Sequence, residues 1–155
     1  MTDLIEVLAP SAILPKVHAS SKRQALQSIC DALAEAAGLD ARSVFDAVQL
    51  RERLAGTGMG EGVAIPHARA AGLKHPIGAF ARFDPPVDFD SLDGRPCDLV
   101  FLLLAPADRG ADHLKALAKV ARFLRKPDIR ERLRAARGHD GLIAVFEAPS
   151  KSDAA

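Results

Sequence analysis

A three-layer α/β/α sandwich, with a mixed β-sheet at its centre and helices on both faces, is the α/β architecture this sequence predicts. Three observations carry the prediction. Segments whose apolar residues recur at helical spacing alternate, loosely, with short apolar segments that read as strands. One of these, residues 98–104 (DLVFLLL), is apolar almost without a break, as expected of a strand covered on both faces. The chain has 155 residues, 48% of them hydrophobic and 26% charged, a length and balance suited to one domain with a substantial core. That domain is expected over residues 1–148, followed by a flexible tail over residues 149–155.

Taken in order, residues 4–8 and 13–17 read as two short β-like pieces separated by Ala9-Pro10-Ser11, the second interrupted by Pro15. Ser21-x-x-Gln24 has the pattern of a capping box. Behind it Leu26, Ile29, Cys30 and Leu33 keep helical spacing, and Gly38 is placed as the stop. Asp40 caps a second helix that carries Val44, Val48 and Leu54, with Arg51 in its last turns. A glycine-rich stretch follows, then a strand over residues 63–65. Residues 77–83 form another strand, which ends at Asp84-Pro85-Pro86. Residues 87–89 are expected as a short edge strand ahead of the Asp93-Gly94 turn. Ala105-Pro106 closes the apolar 98–104 strand. A third helix opens within residues 110–112 and carries Leu114, Leu117, Ala118, Ala121 and Leu124. Pro127 separates it from a helix over residues 128–137, and residues 140–147 make a last short one.

The bulk properties exclude several classes. A formal net charge of +1 gives no global field for nucleic acid or an acidic membrane surface. No apolar run approaches the roughly 20 residues a membrane-spanning helix needs, so no stable membrane association is expected. The N-terminal MTDLIEVLAP lacks the basic and apolar regions of a secretory signal. Cys30 and Cys97 stand singly, which favours reduced thiols over a disulfide framework. A cytoplasmic protein is the expectation.

The chemistry concentrates in residues 51–69, RERLAGTGMGEGVAIPHAR. Gly56, Gly58, Gly60 and Gly62 alternate through it, permitting positive φ and close approach by another group. Val63, Ala64 and Ile65 then form the strand that Pro66 ends, presenting His67 at its mouth with Arg51 and Arg69 nearby. An imidazole among cations and free backbone donors suits an anion, most simply a phosphate. The glycines do not match Gly-x-Gly-x-x-Gly or the phosphate-binding Gly-x-x-x-x-Gly-Lys. The plainer alternatives are an ordinary turn and a histidine that hydrogen-bonds the next loop.

His113 falls in the first turn of the third helix and shares a face with Leu117, Val120 and Leu124, so its ring is expected to look inward. It is either a satisfied core histidine or a group beside the anion-attracting end of the helix. Neither histidine is accompanied by further ligands at metal-binding spacing, and no metal or other cofactor is expected. His18, His75 and His139 read as surface residues. The basic stretch from Arg122 to Arg137 reads as a solvated helical face, with a docking surface for an acidic partner or RNA as the sharper, minor alternative. A Gly-x-Ser-x-Gly elbow is lacking, which argues against a serine hydrolase.

These residues carry a resemblance. RERLAGTGMGEGVAIPHAR, the block over residues 83–106 with its PVDFDSLDGRPCDLVFLLLAP, and His113-Leu114 closely resemble the fructose/mannitol-type enzyme IIA domains of the bacterial phosphotransferase system, and among them the nitrogen-regulatory enzyme IIA. The resemblance runs over almost the whole chain, roughly residues 4–146. It implies that His67 is transiently phosphorylated, that His113 hydrogen-bonds the phosphoryl group or its carrier ring, and that Arg51 lies near that group. Thr57 matches the threonine of the family's Ser-Thr-Gly, whose serine is here Gly56, and Met59 replaces a common isoleucine. The implied donor is a small HPr-like phosphocarrier. Regulatory protein targets, recognised according to phosphorylation state, are the implied outlet; the alternatives are transfer to a sugar-specific IIB domain and a non-phosphorylated adaptor of the same fold. No IIB or membrane IIC domain is expected in a chain of this length. The chemistry suits the residues in its own right. A neutral imidazole, with an ordinary pKa of about 6.5, is a competent nucleophile, and phosphoryl transfer asks mainly for positioning and charge stabilisation.

Overall fold

The computed structural model describes residues 4–108 and 110–147. Its elements run α1 (Leu4–Val7), β1 (Leu8–Val17), α2 (Lys22–Ala37), α3 (Ala41–Leu54), β2 (Gly58–Gly60), β3 (Val63–Ala64), β4 (His67–Ala70), β5 (Ile77–Val87), β6 (Cys97–Pro106), α4 (Gly110–Arg125), α5 (Pro127–Ala135) and α6 (Gly138–Glu147). The expected tail, residues 149–155, lies outside the described residues.

The strands form one mixed sheet in the order β1-β5-β6-β3-β2, with β4 also paired to β6. β5 runs antiparallel to β6, whereas β3 and β4 run parallel to it and β1 parallel to β5. Side chains alternate across β6, as the pleat requires. Val100, Leu102 and Leu104 join Leu26, Ile29, Leu33, Val44 and Val48 of α2 and α3 in one core. Leu99, Phe101 and Leu103 join Val120, Leu124, Ile129, Leu133 and Leu142 of α4, α5 and α6 in the other. The continuous apolar run is thus a central strand feeding two cores, and the three layers are those the sequence predicts. Among the described residues no helix is long and apolar enough to cross a membrane.

Local chemistry sets the helix ends. Ser21 caps α2 by accepting from the Gln24 N–H, and Gly38 closes it in the left-handed conformation at φ 69°. The returning half of the capping box is displaced by one residue, because the Gln24 side chain accepts from the Ser20 N–H and hydroxyl. Asp40 caps α3 through the Ser43 N–H. Pro127 does not merely separate two helices; it is the first residue of α5, where its missing N–H costs nothing.

The structure corrects four strand boundaries. Leu4–Val7 is helical, because Leu4, Val7 and Leu8 also satisfy i, i+3, i+4 spacing and bury into the α4–α6 core. The two expected pieces of β1 are one strand, whose pairing with β5 shifts register between Leu8 and Ile13 and between Leu14 and Val17. Pro10 and Pro15 sit in those irregular stretches of an edge strand, where a missing donor is tolerated. β5 runs on through Pro85 and Pro86, so Val87 is its last residue, opposite Cys97, and not the start of a separate strand. Phe89 instead leaves the sheet and is fully buried in the α2–α3 core. Finally, β3 ends short of Pro66 as expected, but the pairing along β6 continues past this proline. Its carbonyl accepts from the Leu103 N–H at 3.0 Å, and pairing along β6 resumes at His67 opposite Leu103. His67 therefore opens β4 on the flank of β6 and does not sit at the mouth of β3.

Candidate functional site

The glycine stretch is only partly a turn. Gly58–Gly60 forms β2, antiparallel to β3, and the reversal falls at Glu61 and Gly62, with φ of 58° and 79°. The turn is pinned from outside. Asp93 accepts the Glu61 N–H at 2.8 Å, Arg95 pairs with the Glu61 carboxylate at 3.0 Å, and Arg134 donates to the Glu61 carbonyl at 2.6 Å. Arg134 also grips Asp98 through two bonds of 2.8 and 2.9 Å, the bidentate geometry of a strong pair. The reversal is accordingly a rigid support.

His67 is half-buried, and its Nδ1 lies 2.9 Å from the Ile65 carbonyl oxygen. A carbonyl only accepts, so Nδ1 carries the proton and the lone pair of the neutral ring is on Nε2. The ring of His113 stands with its centroid 5.4 Å away, tilted by 50°. His113 is 8% exposed, as its inward position on α4 predicts, and its buried Nδ1 has no hydrogen-bond partner among the described residues. Burial pushes the His67 pKa below the ordinary imidazole value, partly offset by the Ile65 bond, and the Arg51 cation lowers it further. Burial does the same to His113, with His67, Arg69 and Arg51 adding to the effect. Both rings are thereby held neutral at pH 7.

Arg51 sits in the last turn of α3, where Nη1 donates to the Ala55 carbonyl at 2.9 Å. That bond satisfies a helix-end carbonyl and keeps the cation within electrostatic reach of both imidazoles. His67, His113 and Arg51, far apart in the chain, are thus brought together by β4, α4 and α3. Arg69, two residues beyond His67 on β4, completes the cationic surround; its Nη2 would stand 3.0 Å from a Cβ placed on Gly110 at the start of α4. Thr57 is adjacent but differently engaged. Its hydroxyl and its N–H both donate to the carboxylate of Glu52, and its carbonyl accepts from the Ile65 N–H at 3.1 Å. Two of the loop's N–H groups, those of Thr57 and Glu61, are therefore committed internally, so the expected array of free glycine-loop donors is smaller than the sequence suggests.

Glu52 was not singled out by sequence, although a signal exists. On α3 the buried residues are Val44, Phe45, Val48 and Glu52, so a carboxylate occupies the next position of an apolar stripe. Elsewhere, His18 and His75 are exposed as expected, whereas His139 is half-buried with Nε2 2.6 Å from the Pro10 carbonyl. In the basic stretch, Arg134 is the pin described above and Arg130 donates to the Leu124 and Arg125 carbonyls, which makes these two structural. Cys30 and Cys97 are free and buried, and burial pushes Cys30 up to about 12. Among the described residues no group of three or more His, Cys, Asp or Glu side chains is gathered to hold a metal ion.

This geometry can be set beside known proteins. Residues 6–148 match the family described as phosphoenolpyruvate-dependent sugar phosphotransferase system, EIIA 2. The chain is 50% identical over 149 residues to a nitrogen regulatory protein of Bradyrhizobium diazoefficiens, covering 96% of this chain and 95% of that one. It is 33% identical over 149 residues to the PTS system fructose-specific EIIABC component of Bacillus subtilis, covering 96% of this chain and 24% of that protein. The crystal structure of nitrogen regulatory protein IIA-Ntr from Neisseria meningitidis is similar at a TM-score of 0.85 and 36% identity, over 92% of this chain and 98% of that one.

Proposed function

The chain belongs to the EIIA 2 family of the phosphoenolpyruvate-dependent sugar phosphotransferase system, and from that premise we propose that it is a phosphocarrier whose acceptor is Nε2 of His67. The observation that carries the proposal is the bond from Nδ1 to the Ile65 carbonyl, which leaves Nε2 as the nucleophilic nitrogen. In the transfer, the Nε2 lone pair forms a bond to phosphorus as the donor's N–P bond breaks. The electron pair of that bond returns to the donor nitrogen, and the proton stays on Nδ1, donated to the Ile65 carbonyl. Charge on the phosphoryl oxygens is offset by Arg51 and by an N–H of the neutral His113, a role supported by their nearness to the ring.

The donor is a phosphohistidine on an HPr-like carrier, encountered in the cytoplasm. Docking is supported by apolar side chains exposed beside the site residues: Leu54, 77% exposed, follows Arg51 on α3, and Leu114, 66% exposed, adjoins His113 on α4. A regulatory outlet is favoured by the similarity to nitrogen regulatory proteins along nearly their full length. Phosphorylation adds about two negative charges at an apolar-rimmed site, enough to repel one partner or recruit another. Transfer to a sugar-specific IIB domain is the second reading, favoured by the identity to the fructose-specific protein of Bacillus subtilis.

Intact-protein mass after incubation with phosphoenolpyruvate, enzyme I and the HPr-like carrier tests the proposal. One acid-labile phosphoryl adduct is expected on the wild type, none on His67→Ala, and a slower appearance on His113→Ala. Full labelling of His67→Ala would reject the acceptor. No labelling of the wild type with active donors would leave a non-phosphorylated adaptor. Binding of candidate partners to both forms then separates the regulatory reading from the transport one.

A further inference from the structure

We infer that Glu52, backed by Lys22, is a positioning residue for His67, acting through Thr57 and Ile65. The inference rests on the reading of His67 as acceptor and extends it to residues that reading does not use. Glu52 is 6% exposed, in the last turn of α3 and next to Arg51. Its Oε2 receives the Thr57 N–H at 2.8 Å and the Lys22 ammonium at 2.9 Å, while Oε1 receives the Thr57 hydroxyl. The Thr57 carbonyl in turn holds the Ile65 N–H, and the Ile65 carbonyl holds Nδ1 of His67. Each step from one residue to the next between the carboxylate and the imidazole is a hydrogen bond.

Stability alone does not call for a carboxylate here. The preceding members of the same stripe, Val44 and Val48, are aliphatic, and an apolar residue would cover the α2–α3 core without the cost of desolvating a charge. A buried charge that breaks the local pattern while holding an active-site loop is the expected signature of a site that needs geometry more than packing. Lys22 is itself braced, lying 3.6 Å from Asp90 and over the ring of Phe89 at 5.6 Å, so the anchor reaches from α2 to the loop after β5. Thr57 follows the same logic. Its hydroxyl proton is spent on Glu52, so it serves the reaction by fixing Ile65 and not by donating to the phosphoryl group.

Two measurements on Glu52→Gln and Thr57→Val test this. Imidazole 15N shifts at a pH where the ring is neutral report the His67 tautomer. Wild type is expected to show the Nδ1–H form, and both variants a mixture of tautomers. Rates of phosphoryl acceptance should fall roughly tenfold to a hundredfold, because a misplacement of about 1 Å at a reacting group costs about that much. Thr57→Val removes one hydrogen bond and no charge, so it decides the matter if Glu52→Gln folds poorly. Wild-type tautomer signals in Thr57→Val would overturn the inference, as would wild-type rates in both folded variants. A wild type that accepts no phosphoryl group would reject the phosphocarrier reading instead, and the ring signals would still decide this one.

Discussion

At the scale of single residues, the candidate site gathers two imidazoles of lowered pKa with Arg51 and Arg69. Burial lowers the pKa of His67 and His113, and Arg51 adds to both shifts. The unfolded chain, with imidazoles near 6.5, therefore binds more protons than the folded one in the window below that value. Stability is fully present above about pH 6.5 and is lost as pH falls through the folded values, so urea midpoints should drop from pH 7 towards pH 5. Replacing His113 by Gln should flatten that drop; an unchanged slope would show that the buried ring does not titrate with unfolding. Arg51→Met should raise the titration midpoints of both histidines in NMR and slow phosphoryl acceptance roughly a hundredfold, the usual cost of one charge-stabilising donor. Sequence singled out His67, His113, Arg51 and Thr57, because histidines near cations and glycines are chemically conspicuous. It missed the role of Glu52, whose partner Lys22 lies on another helix and is brought to it only by the packing of α2 on α3.

At the scale of elements, the β2–β3 reversal shows how a support is built from glycine. Gly62 has φ 79°, and a Cβ there would meet Arg134 Nη2 at 2.4 Å and Asp98 Oδ1 at 2.8 Å. Both are held in a bidentate pair and cannot yield cheaply. Gly62→Ala should cost roughly 1–3 kcal/mol from backbone strain alone and loosen the Arg134–Asp98 pair, which thermal unfolding would register. A neutral outcome would mean that the turn can adopt a second conformation. Gly94, also at positive φ but with no atom near its missing Cβ, is the control for strain without the clash. Helices were the most legible elements, since Ser21, Gly38 and Asp40 mark their own ends. The strands were less so, for a reason common to the errors. Proline marks a strand end in sequence, and β3 does end short of Pro66, but at Pro10, Pro15 and Pro85 the strand continues, because register shifts there leave positions where no donor is required. The helix Leu4–Val7 was hidden by brevity: over four residues, periods of 2 and 3.6 cannot be told apart.

At the scale of the whole molecule, β6 ties the two cores and the site together. Leu102 points into the α2–α3 layer, and Leu103, which pairs with His67 in the sheet, points into the α4–α6 layer. His67 receives Arg51 from the first layer and His113 from the second, so its geometry depends on both being docked on one sheet. Such an arrangement should unfold as a unit. The chain contains no Trp or Tyr, but Cys30 and Cys97 supply a probe, because both thiols are fully buried in the α2–α3 core. Leu103→Ala leaves that core's own side chains untouched while removing a fully buried side chain from the other, at a cost of about 2–5 kcal/mol. If the layers are coupled through β6, thiol modification of Leu103→Ala should accelerate roughly thirtyfold or more, in step with the loss measured by circular dichroism. Loss of helical signal with thiols still protected would identify α4, α5 and α6 as a separately melting layer. His113 would then leave the site while Arg51 stayed, and the His67 ring would face that cation without its neighbouring imidazole.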